Sequence, residues 1–270
     1  MPFGQCKAPA AFQRWINEVL MEHSDMWCIV YLDDVLIYSN TLKQHRKDVS
    51  TILAGIRKWG MKVKPSKCEF HQSETEYQGF IIGQEGVKTH PGKTQAIWDW
   101  TTPKKIKEIW CLVGFCNFYR QFIEGFSWTA KPLYAKTKKE CIGKEEWGDK
   151  EQQAFDELGT KLTTARVLVY FDHLTESKIE TDASKYLCTG LLSQQCKDGK
   201  WRPVVYRSKT MSDAECNYNI HDMELMAIVQ ALHEWNRYTI GNPKPIRVLT
   251  DQKNLVTLMP TKTLTEPQAR

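Results

Sequence analysis

The chain lacks the features that mark membrane proteins and secreted proteins. No uninterrupted apolar run approaches the roughly 18 residues that a membrane-spanning helix needs, and no signal peptide opens the chain. The nine cysteines are scattered, and no pair has the Cys-x-x-Cys spacing of a zinc ribbon. Internal repeats and low-complexity stretches are also absent. These absences predict a soluble, intracellular protein of the cytoplasm or nucleus that is not secreted and has no disulfide framework.

The composition is that of a globular protein long enough for two domains. The 270 residues are 41% hydrophobic and 26% charged, close to the average for folded chains. A formal net charge of +5 suits a polyanionic partner such as nucleic acid. Many proteins without such a partner are equally basic, so the charge alone leaves the partner open.

The first part of the chain has the pattern of a mixed helix and strand domain. Pro9 suits the first turn of a helix, and the apolar residues that follow recur at helical spacing. Two apolar runs, residues 27–32 and 35–38, flank Asp33-Asp34 and predict a β-hairpin. The other elements predicted here are a helix over residues 41–59, with an apolar face that includes Leu42 and Leu53, and two strands near residues 62–70 and 76–82, with Gly83 and Gly86 ending the domain.

The pattern then changes twice. A helical region is predicted from the apolar spacing that begins at Ile106, and strands then alternate with a long helix. Strands are predicted at residues 177–182, 190–193, 204–208 and 246–251, and mostly helical structure at residues 212–238. The predicted regions are residues 1–86, 87–145 and 146–270.

Asp33 and Asp34 place two carboxylates side by side in an otherwise apolar hairpin. Two like charges about 4 Å apart repel by roughly 1 kcal/mol in water and by more in a poorly solvated site. Mg²⁺ prefers carboxylate oxygens and would relieve that repulsion. Aspartate is also common in surface turns for reasons of backbone geometry, so the residues alone leave both interpretations open.

A second group of acids lies in the last region. Asp182 and Asp251 each end a predicted strand, and Glu224 lies on the predicted long helix between them. Acids at strand ends beside a helix can converge on one edge of a sheet. Taken singly, each is better explained as a capping or solvated acid. Asp222 is a nearby alternative to Glu224, but it lies two residues away and so on a different helix face.

Several motifs in register resemble one family over essentially the whole chain. Tyr31-Leu32-Asp33-Asp34 is similar to the Tyr-x-Asp-Asp signature of reverse transcriptases. The other matching stretches are Met1-Pro2-Phe3-Gly4, Ala8-Pro9, Phe12-Gln13, Lys67-Cys68-Glu69-Phe70, Tyr77-Gln78-Gly79-Phe80, Gly114-Phe115-Cys116-Asn117-Phe118-Tyr119-Arg120, Thr181-Asp182-Ala183-Ser184 and Thr250-Asp251-Gln252-Lys253-Asn254-Leu255. Together they resemble gypsy-type LTR retrotransposon polyproteins, over the reverse transcriptase and ribonuclease H.

The resemblance implies an α+β chain with a partial polymerase palm, a helical thumb and a ribonuclease H-like domain. Its implied chemistry is RNA-directed DNA synthesis and cleavage of RNA in hybrids, with deoxynucleoside triphosphates and an RNA–DNA hybrid or DNA duplex as partners. The implied catalytic residues and ligands of Mg²⁺, or of Mn²⁺, are Asp33, Asp34, Asp182, Glu224 and Asp251. The implied contacts to nucleotide or nucleic acid are Phe3, Gly4, Gln13, Tyr31, Gly79, Lys104, Lys105 and Lys107.

Some departures from the family pattern bear on activity. The family's first polymerase aspartate precedes its Pro-Phe-Gly loop, and its fourth ribonuclease aspartate follows the position of Arg270. Either activity is therefore expected to be impaired in these 270 residues. Gln78 replaces an aliphatic residue, and Trp128 stands where a basic residue is common. The alternatives to an enzyme are a non-catalytic nucleic-acid-binding remnant and an inert product of a decayed element.

Overall fold

The computed structural model describes residues 6–21, 23, 26–103, 105–137 and 147–251. Phe3, Gly4 and Lys104 lie outside the described residues. Contacts divide the chain into two compact units. The first unit comprises Met1–Gln78 and Ile82–Gln84, and the second comprises Gly79–Ile81 and Glu85–Arg270. Within the described part of the chain, no helix is both long and apolar enough to cross a membrane.

The first unit is built on two helices and a hairpin, as the sequence predicts. Its elements are α1 (Ala8–Leu20), β1 (Cys28–Tyr31), β2 (Asp34–Ile37) and α2 (Leu42–Lys58). Strands β1 and β2 pair antiparallel. The small core consists of Ile16, Leu20, Cys28, Ile52 and Ile56. Proline in the first turn of α1 is confirmed.

The predicted apolar face of α2 is partly wrong. Leu42 and Leu53 are exposed, whereas Asp48 is buried. Asp48 is accommodated because the Ser39 hydroxyl and the Gln44 side-chain amide both donate hydrogen bonds to its carboxylate, at 2.5 and 2.8 Å. A carboxylate can be buried when donors replace its hydrogen bonds to water. The spacing of apolar residues along a helix does not show such donors.

A second sheet contains β3 (Glu74–Tyr77), β4 (Phe80–Gly83) and β5 (Gly86–Thr89), in that order. The strand predicted near residues 62–70 is wrong. That segment contains only a 3-10 turn at Pro65–Lys67, because Pro65 has no N–H to give to a strand ladder. Gly86 is the first residue of β5. Its φ of +136° favours glycine, and an added Cβ would lie 2.1 Å from the Leu168 carbonyl oxygen.

The second unit begins with a helical segment. Its helices are α3 (Pro91–Trp98), α4 (Ile106–Phe118), α5 (Phe126–Thr129), α6 (Lys131–Lys136) and α7 (Asp149–Thr163). The helix expected from Ile106 onward is confirmed as α4. Its Leu112 is fully buried in a core that also contains Leu158 of α7.

The remaining elements form a four-stranded sheet with a helix against it. They are β6 (Ser177–Ala183), β7 (Leu187–Gln195), β8 (Trp201–Thr210), α8 (Ile220–Glu234), α9 (Asn236–Thr239) and β9 (Arg247–Leu249). The strand order is β8-β7-β6-β9. The pairs β6–β7 and β7–β8 are antiparallel, whereas β6 and β9 are parallel. All four predicted strands are therefore present, most of them longer than expected.

The helical segment and the sheet share one core. Tyr206 of β8 packs in the same cluster as Leu112 and Leu158. The backbone carbonyl of Ser208 also accepts hydrogen bonds from Arg120 and from the Ser127 hydroxyl. The domain boundaries expected near residues 86 and 145 stay predictions. The described segments on the two sides of residue 145 nevertheless bury a common set of side chains.

Candidate active-site carboxylates

The hairpin of the first unit presents its two aspartates differently. Tyr31 pairs with Asp34, so the two turn residues are Leu32 and Asp33, and Asp34 is already the first residue of β2. Both carboxylates are exposed. Leu32 has a φ of +52°, in the left-handed region, which costs a residue other than glycine about 1–2 kcal/mol. The turn therefore needs support from outside the hairpin.

Gln13 of α1 supplies that support. Its carboxamide oxygen accepts a hydrogen bond from the Leu32 backbone N–H at 2.6 Å. The same carboxamide donates from its nitrogen to the Val30 carbonyl at 3.1 Å and to the Asn17 side chain at 2.8 Å. The planar Gln13 carboxamide therefore bonds to the backbone at Val30, just before the turn, and at Leu32, in the turn. These two hydrogen bonds fix the position of the backbone that leads into Asp33 and Asp34. The family resemblance implied that Gln13 contacts nucleic acid. In the structure its side chain is hydrogen-bonded to the backbone of the hairpin.

Asp34 has a side-chain partner that the sequence did not identify. The Gln78 carboxamide donates to Asp34 Oδ2 at 2.7 Å, from a residue with a φ of +51°. Burial raises the pKa of the Tyr77 phenol to about 12, and the negative charge of Asp34 adds to that rise. The only sequence signal for this contact was that Gln78 departs from the family pattern.

In the second unit, the fold brings the ends of two strands together. In the parallel ladder, Ile179 pairs with Val248 and Glu180 with Leu249. Asp182 and Asp251 each lie two residues beyond the last of these pairs. Neighbouring strands lie about 4.7–4.9 Å apart, so continuing the register places these aspartates beside each other at one edge of the sheet. Both are exposed.

Glu224 of α8 completes this group, which we call the carboxylate trio (Asp182, Glu224 and Asp251). Its side chain is only 5% exposed. Its two oxygens accept hydrogen bonds from the Ala183 backbone N–H at 3.1 Å and from the Thr250 hydroxyl at 3.0 Å. Burial raises the pKa of the Glu224 carboxyl, these two hydrogen bonds oppose the rise, and the charges of Asp182 and Asp251 add to it. Both aspartates therefore act electrostatically on Glu224, and the role of the three acids as a catalytic group stays a prediction.

The donor set of the trio is chemically suited to a hard divalent cation, but it is not a closed coordination shell. Carboxylate oxygens are the preferred ligands of Mg²⁺. Among the described residues, no group of three or more His, Cys, Asp or Glu side chains is placed to hold a metal ion as it stands. Each Glu224 oxygen accepts one hydrogen bond and keeps a second lone pair for an ion. The donor types fit a metal, and the two aspartates are exposed side chains that can change rotamer.

Asp222 has a separate, structural role. It lies in the first turn of α8, where its backbone N–H donates to the Asn219 side chain at 3.0 Å. The Asn219 amide in turn donates to Asp222 Oδ2 at 2.8 Å. These contacts cap the helix that carries Glu224. The hydrogen bond from Thr250 to Glu224 was not predicted from the sequence, although Thr250 directly precedes Asp251.

The other predicted contacts are spread over the chain. Gly79 has a φ of +79°, and its carbonyl accepts a hydrogen bond from the Tyr119 hydroxyl at 3.0 Å. Tyr31 is exposed beside the Asp33-Asp34 turn. Lys105 and Lys107 are exposed at the start of α4.

The two hairpin aspartates, and Asp182 and Glu224 of the trio, lie within two family matches, whereas Asp251 lies three residues beyond the second match. Residues 1–82 match the family model of the reverse transcriptase (RNA-dependent DNA polymerase), and residues 147–248 match that of the RNase H-like domain found in reverse transcriptase. The chain therefore belongs to the reverse transcriptase and RNase H-like families over these two regions. Both families generally depend on divalent metal ions.

Retrotransposon polyproteins are among the relatives, as the motifs indicated. The Transposon Tf2-3 polyprotein of Schizosaccharomyces pombe is 34% identical over 256 residues, which cover 95% of this chain and 19% of the relative. The Transposon Tf2-7 polyprotein of the same organism gives the same values. The chain thus spans about a fifth of the length of these relatives, 19%.

Solved structures show the same fold. The foamy viral protease-reverse transcriptase in complex with RNA/DNA hybrid is 24% identical, with a TM-score of 0.78 over 100% of this chain and 36% of that one. The same viral protein in complex with dsDNA gives a TM-score of 0.79 at 24% identity, over 97% of this chain and 54% of that one. The expected α+β class is confirmed.

Proposed function

We propose that the carboxylate trio cleaves RNA in RNA–DNA hybrids with the help of Mg²⁺, or of Mn²⁺. The observation that carries this function is the position of Glu224. Thr250 and Ala183 hold this buried carboxylate; burial raises its pKa, and the charges of Asp182 and Asp251 add to the rise. Such crowding of like charges is stable only with compensation, and a cation bound by all three supplies it.

The chain's own residues hold and orient the acids. The Ala183 N–H and the Thr250 hydroxyl fix the Glu224 carboxylate against the strand ends. Asp182 and Asp251 are exposed at that edge, so a backbone phosphate can reach them from solvent. A divalent ion bound there would polarise a phosphoryl oxygen and acidify a water molecule. A raised pKa means that Glu224 keeps its proton to a higher pH, and a cation would displace that proton.

A cleavage assay with matched variants tests this proposal. The full chain is incubated with an end-labelled RNA–DNA hybrid and Mg²⁺, and product is compared for the wild type, Asp182→Asn and Glu224→Gln. Asp213→Asn is the control, because Asp213 is an exposed acid of the same unit outside the trio. We expect cleavage of hybrid RNA that both trio changes abolish and the control retains.

A measurement of Mn²⁺ binding tests the metal site independently of the rate of RNA cleavage. Mn²⁺ binding, followed by the electron paramagnetic resonance signal of the free ion, should weaken at least tenfold in Asp182→Asn. Cleavage that survives both trio changes would contradict the proposal. So would a chain that neither cleaves hybrids with Mg²⁺ or Mn²⁺ nor binds Mn²⁺ through Asp182.

The hairpin supports a second function, Mg²⁺-dependent nucleotidyl transfer at Asp33 and Asp34 in RNA-directed DNA synthesis. The specific observation is that Gln13 holds these exposed carboxylates on a strained turn. Deoxynucleoside triphosphates and a primer duplex are the proposed partners. The proposed contacts are Phe3, Gly4, Gln13, Tyr31, Gly79, Lys104, Lys105 and Lys107.

Ion binding also tests the hairpin. Mn²⁺ affinity should fall in the double variant Asp33→Asn, Asp34→Asn and stay unchanged in Glu18→Gln, an exposed acid on α1. Equal Mn²⁺ binding by both variants would rule out the hairpin as a metal site.

A further inference from the structure

A lysine in the second unit is held between two aromatic rings close to the carboxylate trio. The Lys131 ammonium lies 5.1 Å from the centroid of the Trp128 ring and 4.9 Å from that of Tyr186. The Lys185 ammonium lies 5.8 Å from the Tyr186 ring. We call Trp128, Lys131, Lys185 and Tyr186 the ring–lysine patch.

The patch is open to solvent and carries uncompensated positive charge. Trp128 is 54% exposed and Tyr186 is 48% exposed, so about half of each side chain is available to a ligand. Lys131 and Lys185 are exposed as well. Within the described part of the chain, neither ammonium forms an ion pair with a carboxylate. Exposed ammonium groups without carboxylate partners suit a polyanion such as a phosphodiester backbone, and the aromatic rings beside them restrict where the ammonium groups lie.

The sheet register sets the distance from the patch to the trio. Asp182 pairs with Thr189, and Thr189 pairs with Ser208, so these residues form one row across three strands. The Ser208 hydroxyl accepts a hydrogen bond from the Ser127 backbone N–H at 2.8 Å. Two strand spacings of about 4.8 Å therefore put Ser208, which anchors the residue before Trp128, about 10 Å from Asp182.

The other side of the patch gives a similar distance. Lys185 and Tyr186 lie in the tight turn between β6 and β7, where the Ser184 N–H donates to the Leu187 carbonyl at 2.8 Å. They follow Asp182 by three and four residues, which span at most about 10–13 Å at the rise of a strand. Because 10–13 Å is an upper limit, the patch lies within a few base pairs of the trio along a bound duplex.

We infer that the ring–lysine patch binds the phosphodiester backbone of the same RNA–DNA hybrid, within a few base pairs of the position of cleavage. The inference deepens the proposed function and rests on it. Lys131 supplies the phosphate contact, and the Trp128 and Tyr186 rings lie 5.1 and 4.9 Å from its ammonium. The bound backbone fixes which phosphate of the duplex reaches the trio.

Binding without divalent ions tests the patch apart from cleavage. The affinity of the full chain for a fluorescent RNA–DNA hybrid is measured by anisotropy in EDTA at several KCl concentrations. Lys131→Met keeps the length of the side chain and removes its charge. Losing one phosphate contact should flatten the slope of log affinity against log salt by about 0.9 and weaken binding about eightfold at 0.1 M salt. Lys131→Arg should retain the wild-type slope.

A matched lysine controls for overall charge. Lys197 is exposed in the turn between β7 and β8, at the opposite end of the same strand pair. Lys197→Met should leave the salt slope unchanged. Tyr186→Ala should weaken binding, whereas Tyr186→Phe, which keeps the ring, should not.

Two results would overturn the inference. In the first, Lys131→Met lowers the melting temperature but binds the hybrid with the wild-type slope of log affinity against log salt. The contacts of Lys131 with the two rings would then only stabilise the packing of α6 against the turn between β6 and β7. In the second, polyglutamate displaces the hybrid as effectively as unlabelled hybrid does, which would assign the patch to acidic proteins. If Asp182→Asn abolishes cleavage while Lys131→Met binds the hybrid normally, the proposed function stands and the inference about the patch is wrong. Weakened binding in Lys131→Met without any cleavage by the wild type would retain the patch as a binding surface and lose the proposed function.

Discussion

The hairpin of the first unit and the carboxylate trio of the second position their acids in opposite ways. At the hairpin, the acids are neighbours in the sequence, and a strained Leu32 positions them with help from Gln13. At the trio, the acids are far apart in the sequence, and strand pairing together with helix α8 brings them together. A local site depends on one turn and its support. A site assembled by the fold depends on every element that carries one of its members.

The largest expected effect is the loss of stability when a core residue of the second unit is truncated. Leu112 is fully buried in the cluster shared by the helical segment and β8. Leu112→Ala should destabilise the second unit by about 2–5 kcal/mol. Because the core is shared, hydrogen exchange should accelerate in β8 and α7 as well as in α4.

Leu20→Ala provides the matching change in the core of the first unit. Its faster exchange should appear in α2 and the hairpin. Acceleration confined to residues 106–136 in Leu112→Ala would show that the helical segment is a separate folding unit.

The support of the hairpin gives the next largest effect. Gln13→Ala removes two hydrogen bonds to the hairpin backbone, each worth about 0.5–1.5 kcal/mol. Exchange of the Leu32 amide should accelerate accordingly. Leu32→Gly should recover part of the loss, because glycine adopts positive φ without the penalty. Arg14→Ala, at the exposed neighbouring position, is the control, and an equal effect there would contradict the assigned role of Gln13.

The contrast also explains what could be predicted from the sequence. The hairpin follows from two apolar runs around Asp33-Asp34, since turn and strands are local. The four strands of the last sheet were readable because β-branched and apolar runs mark them. The strand expected at residues 62–70 failed because Pro65 interrupts an otherwise suitable run. Asp48 was missed because its burial depends on Ser39 and Gln44, not on periodicity.

Partners of the acids were harder to predict than the acids themselves. The resemblance implied a role for Glu224 but none for Thr250, although Thr250 is part of a matching motif, because a threonine hydroxyl at a strand end has many possible partners. Gln78 was noticed only as a departure from the family. Its contact with Asp34 needs the positive φ of the turn that presents it. Long-range hydrogen bonds of this kind have no periodic signal in a single sequence.

Two tyrosine hydroxyls sharpen the comparison of the units. Among the described residues, the buried Tyr77 hydroxyl of the first unit has no hydrogen-bond partner. The Tyr119 hydroxyl of the second unit donates to the Gly79 carbonyl. Tyr77→Phe should therefore raise the free energy of unfolding by about 1 kcal/mol, whereas Tyr119→Phe should lower it by a similar amount. Denaturant titration measures both changes, and destabilisation in both variants would reveal a partner for Tyr77.

The smallest effect concerns the charge of Asp182, because an exposed side chain is screened by solvent. Burial, and then the charges of Asp182 and Asp251, raise the pKa of Glu224 in the folded chain. A raised carboxyl pKa contributes stability below the unfolded pKa, and that contribution is lost as the pH rises through the folded value. Asp182→Asn removes one source of the rise, so the stability loss between acidic and neutral pH should become shallower. The midpoint of urea unfolding, measured from acidic to neutral pH for Asp182→Asn and for the control Asp213→Asn, reports the difference. If the two variants lose stability equally over this range, Asp182 and Glu224 do not interact, and the trio is no more than three separate acids.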